Sequence, residues 1–143
     1  KEEVLDYIFK VELQKRIKLL NGIEQSQKDF WDKIEYFLQK HFQEIEENME
    51  TAKVLIREKE MPGKMNKSAI TEYKSIIPEK IKKMMDEAVN NKEIRDCNTE
   101  ITSFMLFGAI SGLLEKAIKN NNLEILKEAS SEIMKLLQQG LSA

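Results

Sequence analysis

The stretch ITSFMLFGAISGLL, residues 101–114, has no charged side chain, in a chain where charged residues make up 34% of the total. The run holds no proline, and its apolar residues fall on every side of a 3.6-residue period, so it reads as a helix that needs cover all round. Gly108 and Gly112 lie one turn apart within it. Glycine in a helix interior costs about 0.5–1 kcal/mol relative to alanine, so the pair points to close approach by another helix. Two kinds of cover are open. Both faces are buried within one chain, or one face meets the same helix of a second subunit in an isologous two-fold contact. The run is too short and too rich in small residues to be read as a bilayer span.

Working outward, every neighbouring segment is also helical, and no strand pattern occurs. A sixth helix over 123–139 turns Leu126, Ala129, Ser130, Ile133, Met134 and Leu137 inward, and Gly140 closes it. A fourth carries Ile70, Tyr73, Ile77, Ile81, Met84, Met85 and Ala88. Pro78 lies inside it and predicts a break or kink. A third helix over 49–60 turns Ala52, Leu55 and Ile56 inward, and the MPG sequence at 61–63 breaks the chain into a loop reaching Ser68. The second helix, over 26–48 with Ser26 as N-cap, shows one long stripe of Phe30, Trp31, Ile34, Phe37, Leu38, His41, Phe42, Ile45 and Met49. The first, over 3–20, repeats Leu5, Ile8, Phe9, Leu13, Ile17 and Leu20, and Asn21-Gly22 ends it. The expected fold class is all-α, a single helical-bundle domain of about six helices over residues 1–143. No internal repeat and no low-complexity segment divides it.

Composition removes most chemistries. The chain has 143 residues, net charge −2 and a single cysteine, Cys97. One thiol makes no internal disulfide, which suits a reducing cytoplasm. The densest basic run, Lys80, Lys82 and Lys83, is followed at once by Asp86 and Glu87 and reads as a solvated helix face, not a nucleic-acid patch. His41 is the only histidine. Leu38 occupies the position three before it, so the Glu-x-x-His motif of di-iron bundles is absent, and no multi-histidine metal site can form. The scattered glycines form no phosphate loop. No catalytic constellation exists, and no enzyme activity, cofactor or metal is expected.

The aromatic and methionine-rich half of the chain has two readings. These side chains fill one another's space as ordinary core, or they line an apolar ligand pocket between the second helix and a kinked fourth. The candidate ligand-binding residues are Trp31, Ile34, Phe37, Leu38, His41, Phe42, Tyr73, Ile77 and Met84, with His41 and Tyr73 as polar anchors.

Residues 104–114, FMLFGAISGLL, preceded by KEIRD at 92–96, resemble the C-terminal half of TetR/AcrR-family regulators. There, a similar phenylalanine- and glycine-bearing helix follows a short connector, and a last amphipathic helix ends near a Gly-Leu pair, here Gly140-Leu141. Residues 1–9, KEEVLDYIF, resemble the handover from that family's helix-turn-helix domain to its long linking helix. Asn91 departs from the pattern, since family members often place glycine before the connector. The final helices are most similar to the fatty-acid-responsive branch.

The resemblance implies a transcriptional repressor's effector-sensing part, in which the last two helices form a four-helix bundle with a partner subunit. The implied interface residues are Phe104, Gly108, Ser111, Gly112, Leu126, Ser130, Ile133 and Leu137. The implied partners are a second copy of the chain as homodimer, a small hydrophobic effector, and operator DNA reached only through an N-terminal DNA-reading domain that would precede Lys1. No membrane partner is implied. The alternative reading is a helical protein-interaction or dimerisation module with a filled core and no ligand.

Overall fold

The computed structural model describes residues 2–60 and 67–143. Six α-helices follow one another: α1 (Glu2–Glu24), α2 (Phe30–Glu47), α3 (Met49–Glu60), α4 (Lys67–Asn90), α5 (Thr99–Lys119) and α6 (Glu124–Leu141). Among the described residues there is no strand; one isolated bridge joins Ile94 to Ser142. The architecture is all-α, as the periodicity requires. The MPG break at 61–63 lies outside the described residues.

Helix boundaries depart from expectation where packing overrides local signals. The helix α1 runs through Asn21 and Gly22 to Glu24, because Ile23, one turn beyond Leu20, is itself drawn into the core. Ser26 does not cap α2. Its hydroxyl donates to the Ile23 carbonyl at 2.6 Å and so closes the end of α1. Asp29 caps α2 instead, its carboxylate accepting the Asp32 N–H at 2.9 Å. Pro78 breaks nothing: α4 is continuous from Lys67 to Asn90, with Pro78 fully buried inside it. The carbonyl that loses its donor belongs to Lys74, four residues earlier, a residue exposed to solvent. Gly140 also lies inside a helix, since α6 continues to the buried Leu141.

Both ends of the connector system close by the same device. After α4, Glu93 N–H bonds to Ala88 carbonyl (2.8 Å) and Lys92 N–H to Val89 carbonyl (3.0 Å), with Lys92 left-handed at φ 59°. After α5, Asn122 N–H bonds to Ala117 carbonyl (2.9 Å) and Asn121 N–H to Ile118 carbonyl (3.3 Å), with Asn121 at φ 51°. These are Schellman closures. The first places its left-handed residue on lysine, one position after Asn91, so the turn that glycine commonly serves is made without it. The connector is then pinned to the chain's end: Arg95 N–H bonds to Leu141 carbonyl at 2.9 Å and its Nε to Gly140 carbonyl at 2.5 Å.

One large apolar core joins all helices but α3, with Phe30, Ile34, Phe37 and Leu38 of α2 at its centre against Ile81, Met84 and Met85 of α4 and Leu106 and Ile110 of α5. A small second cluster joins Phe9 of α1 to Ile70 of α4, with Leu55 of α3 packed on it. The basic run on α4 is not merely solvated. Lys80 bonds to Asn21 Oδ1 at 2.6 Å and Lys83 pairs with Glu24, fastening α4 to the end of α1, while Lys82 pairs with Asp86 at 2.9 Å.

The charge-free run lies in α5, whose Asn98 cap accepts the Ile101 N–H at 3.1 Å. Within the chain it is covered on one side only. Ser103, Leu106, Ile110, Leu114, Ala117 and Ile118 are buried, whereas Ile101, Phe104, Met105, Gly108, Ala109 and Gly112 are exposed. Polar ends lengthen this helix to 21 residues, long and apolar enough by length and composition alone to cross a membrane, a test that core helices of soluble proteins also pass. The estimate that the run is too short for a span holds for 101–114 but not for the helix that contains it. The helix packs on α3, α4 and α6.

Candidate functional site

A partly open cavity of about 70 Å³ lies between the two apolar clusters. Five helices wall it. From α1 come Phe9, Glu12 and Arg16, from α2 His41 and Ile45, and from α3 Ala52, Leu55 and Ile56; α4 adds Tyr73, and α5 adds Ser111, Leu114, Glu115 and Ile118. The α1 and α5 contributions recur at three- and four-residue spacing, so each is a single helical stripe. Mostly apolar lining with a few convergent polar groups is the usual character of a small-molecule site.

The polar groups are held by burial and neighbours. His41 is buried, stacked on Phe37 with ring centroids 5.5 Å apart and 13° between planes, and tilted against Phe42 at 6.2 Å. Tyr73 packs against Phe107 at 5.8 Å. Burial pushes the Tyr73 phenol above its ordinary pKa, against the pull of the Arg16 charge and with a smaller upward push from Glu12, so the hydroxyl stays protonated. Arg16, 6% exposed, has its Nη2 3.6 Å from Glu12 Oε2, and Glu12 also takes Lys15 Nζ at 3.1 Å. No group of three or more His, Cys, Asp or Glu side chains among the described residues is arranged to hold a metal ion.

Of the expected ligand residues, His41 and Tyr73 line the cavity. Ile34, Phe37, Leu38, Phe42, Ile77 and Met84 lie in the large core, and Trp31 packs half-buried on it. The aromatic stripe is therefore consumed by packing, and the cavity opens one turn further along, where Ala52 and Ser111 leave room. Sequence reasoning missed Arg16, Glu12 and Glu115. The available signal was register: Arg16 sits three residues after Leu13 and four before Leu20, on an inward stripe, where a charge is rarely buried without use.

The expected interface residues divide likewise. Phe104, Gly108 and Gly112 are exposed on α5, and a Cβ built at either glycine meets nothing within 4 Å. Ser111 faces the cavity instead, Leu126 and Ile133 lie in the chain's own core, and Ser130 and Leu137 are half-buried. The exposed set gains three large residues the sequence had not singled out: Ile101, Met105 (69% exposed) and Leu136 (68% exposed). Ile101, Phe104 and Met105 put three large apolar side chains in water within little more than one turn of α5, which monomers rarely do without a use.

Residues 27–115 match the Tetracyclin repressor-like, C-terminal domain family, and the chain belongs to that family. Its fold is similar to that of a Clostridium perfringens protein assigned as a fatty acid metabolism regulator. The TM-score is 0.77 at 18% identity, over 96% of this chain and 73% of that one. It is also similar to reduced NemR of E. coli, with a TM-score of 0.69 at 12% identity, over 92% of this chain and 70% of that one. No protein of curated function matches by sequence.

Proposed function

We propose that this chain is the effector-sensing and dimerisation domain of a TetR-type transcriptional repressor, and that it binds a small hydrophobic molecule in the α1–α5 cavity. The observation that carries this reading is the cavity's position. It borrows one wall from α1, the helix nearest the chain's start, and another from α5, whose opposite side exposes an apolar face. A ligand there touches both the helix on which a DNA-reading domain would ride and the helix that would meet a second subunit. Binding without turnover then biases one arrangement of α1 over another, which is all that allosteric control requires. In this reading the protein is a cytoplasmic homodimer and meets operator DNA only through an N-terminal helix-turn-helix. The likeness to a regulator assigned to fatty acid metabolism makes acyl compounds the first effectors to try.

The cavity's size favours a second reading. Ligand sites commonly enclose about 300–1,000 Å³, and the 70 Å³ here falls well below that range. An effector of ordinary size must move a wall. If none does, the chain is a ligand-free dimerisation module. A thermal-shift series with fatty acids, acyl thioesters and aromatic dyes separates the two. Effector binding to the folded state raises the melting temperature with concentration, by the equivalent of about 2.7 kcal/mol at one hundred times Kd. Ala52→Phe, which fills the cavity, abolishes the shift. A shift that survives Ala52→Phe unchanged, or no shift with any compound, rejects the effector site.

A further inference from the structure

The fold does not account for Arg16. It lies on the α1 stripe between Leu13 and Leu20, is buried, and lines the cavity. A guanidinium presents five N–H donors in a planar fork. Taking it out of water is costly unless the fork is paired. Among the described residues Arg16 makes a single ion-pair contact, Nη2 to Glu12 Oε2 at 3.6 Å, which is longer than a hydrogen bond. Glu12 lies closer to Lys15, at 3.1 Å. The glutamate's charge is thus already answered from the solvent side, and the arginine keeps donors to spare beside an apolar space.

We propose that the effector is a monocarboxylate with an apolar body, that its carboxylate is taken by the Arg16 fork, and that Glu12 remains with Lys15. The apolar body lies among Phe9, Leu55, Leu114 and Ile118, which line the same space. The proposal rests on the reading of the cavity as an effector site. A bidentate carboxylate would add to the guanidinium fork the close pairing that, among the described residues, Glu12 at 3.6 Å does not supply. Glu12 and Glu115 also line the cavity and limit the ligand to one negative charge. A cationic ligand would set a like charge beside the buried guanidinium of Arg16.

Calorimetric titration of the chain with three probes of equal length, octanoate, 1-octanol and octylamine, tests this. Octanoate is expected to bind at least about tenfold more tightly than either of the others. Arg16→Gln should remove that preference, and Glu12→Gln should tighten octanoate by removing the competing carboxylate. If Arg16→Gln fails to fold by circular dichroism, Glu12→Gln carries the test, and an unchanged or weakened octanoate affinity in it overturns the proposal. Equal binding of 1-octanol and octanoate overturns the carboxylate assignment while leaving the apolar effector site standing. Tighter binding of octylamine does the same. Binding of none of the three at millimolar concentration overturns both.

Discussion

Replacing both Gly108 and Gly112 by alanine should move folding and dimerisation in opposite directions. A Cβ at either position meets nothing within 4 Å in this chain. Neither glycine has a positive φ, so alanine adopts the same backbone. Each substitution therefore recovers the helix propensity that glycine forfeits, about 0.5–1 kcal/mol. The pair should stabilise the isolated chain by about 1–2 kcal/mol, a rise of roughly 2–8 °C in melting temperature for a domain of this size. In the proposed two-fold contact, α5 lies against its own copy, and packed helices run about 8–10 Å apart, with the shortest separations where small residues meet. The added methyls then overfill the contact at about 1–3 kcal/mol per site, and the symmetry places every substitution there twice. Four such sites at the lower figure lose about 4 kcal/mol in association, which weakens the dimer nearly a thousandfold. Sedimentation velocity across a dilution series measures the dissociation constant, and melts taken well below it report the single chain. A double-alanine protein that gains thermal stability as a monomer yet dimerises as tightly as the parent refutes the close-approach argument. A parent protein that stays monomeric at micromolar concentration refutes the interface itself.

Other outcomes follow from single contacts. Lys92→Gly relieves the left-handed backbone after α4 and should add about 0.5–1 kcal/mol in denaturant unfolding, because the left-handed penalty for a side chain exceeds glycine's entropic cost. Phe37→Ala should cost about 3–5 kcal/mol of folding free energy without acting on any ligand directly, since Phe37 belongs to the core and does not line the cavity. The Thr99 hydroxyl bonded to Asp86 at 2.5 Å, aided by Lys82, holds the Asp86 carboxyl below the usual carboxylate range. Its contribution to stability is therefore complete above that usual value and is lost as pH falls through the lowered folded one, below roughly pH 4. Asp86→Asn should flatten the acid limb of a stability–pH curve there, by less than about 1 kcal/mol for so accessible a group. At physiological salt, this chain alone should shift no promoter fragment in preference to random DNA, because its paired lysines leave no basic face.

Helix identity was legible in the sequence because it rests on apolar spacing, which survives small errors of placement. Helix ends were less so. Ser26 and Asp29 are both good caps three residues apart, and only the burial of Ile23 and Phe30 on either side decides between them. The site was legible only in part for a deeper reason. Pattern reading counts bulk, and the bulk of α2 went into the core. A cavity forms where bulk is missing, here where Ala52 and Ser111 face the paired charges of Glu12 and Arg16. That coincidence depends on α1, α3 and α5 meeting, and no single segment carries it. The exposed face of α5 was legible only in part for a related reason, since an uncharged run states that cover is needed but not which side the chain itself supplies.

The distribution of polar ties decides which wall of the cavity yields to a ligand larger than 70 Å³. The start of α5 is tied to α4 through Thr99 and Asp86, and its end closes in a Schellman turn. The ties of α1 are concentrated at its C-terminal end: Lys80 to Asn21, Lys83 to Glu24, and Lys33 to the Glu24 carbonyl at 3.3 Å. Its N-terminal half packs on other helices through the apolar side chains of Leu5, Phe9 and Leu13. A helix fixed at one end and held by apolar contact at the other gives way as a lever, because apolar contact is non-directional and survives sliding where hydrogen bonds do not. The cavity residues of α1 lie at positions 9, 12 and 16, on the loose side of those ties. Displacement produced there grows toward residue 2, at roughly 1.5 Å of helix per residue. On the proposed effector reading, a shift of about 1 Å at Arg16 would become several ångströms where a DNA-reading domain would attach.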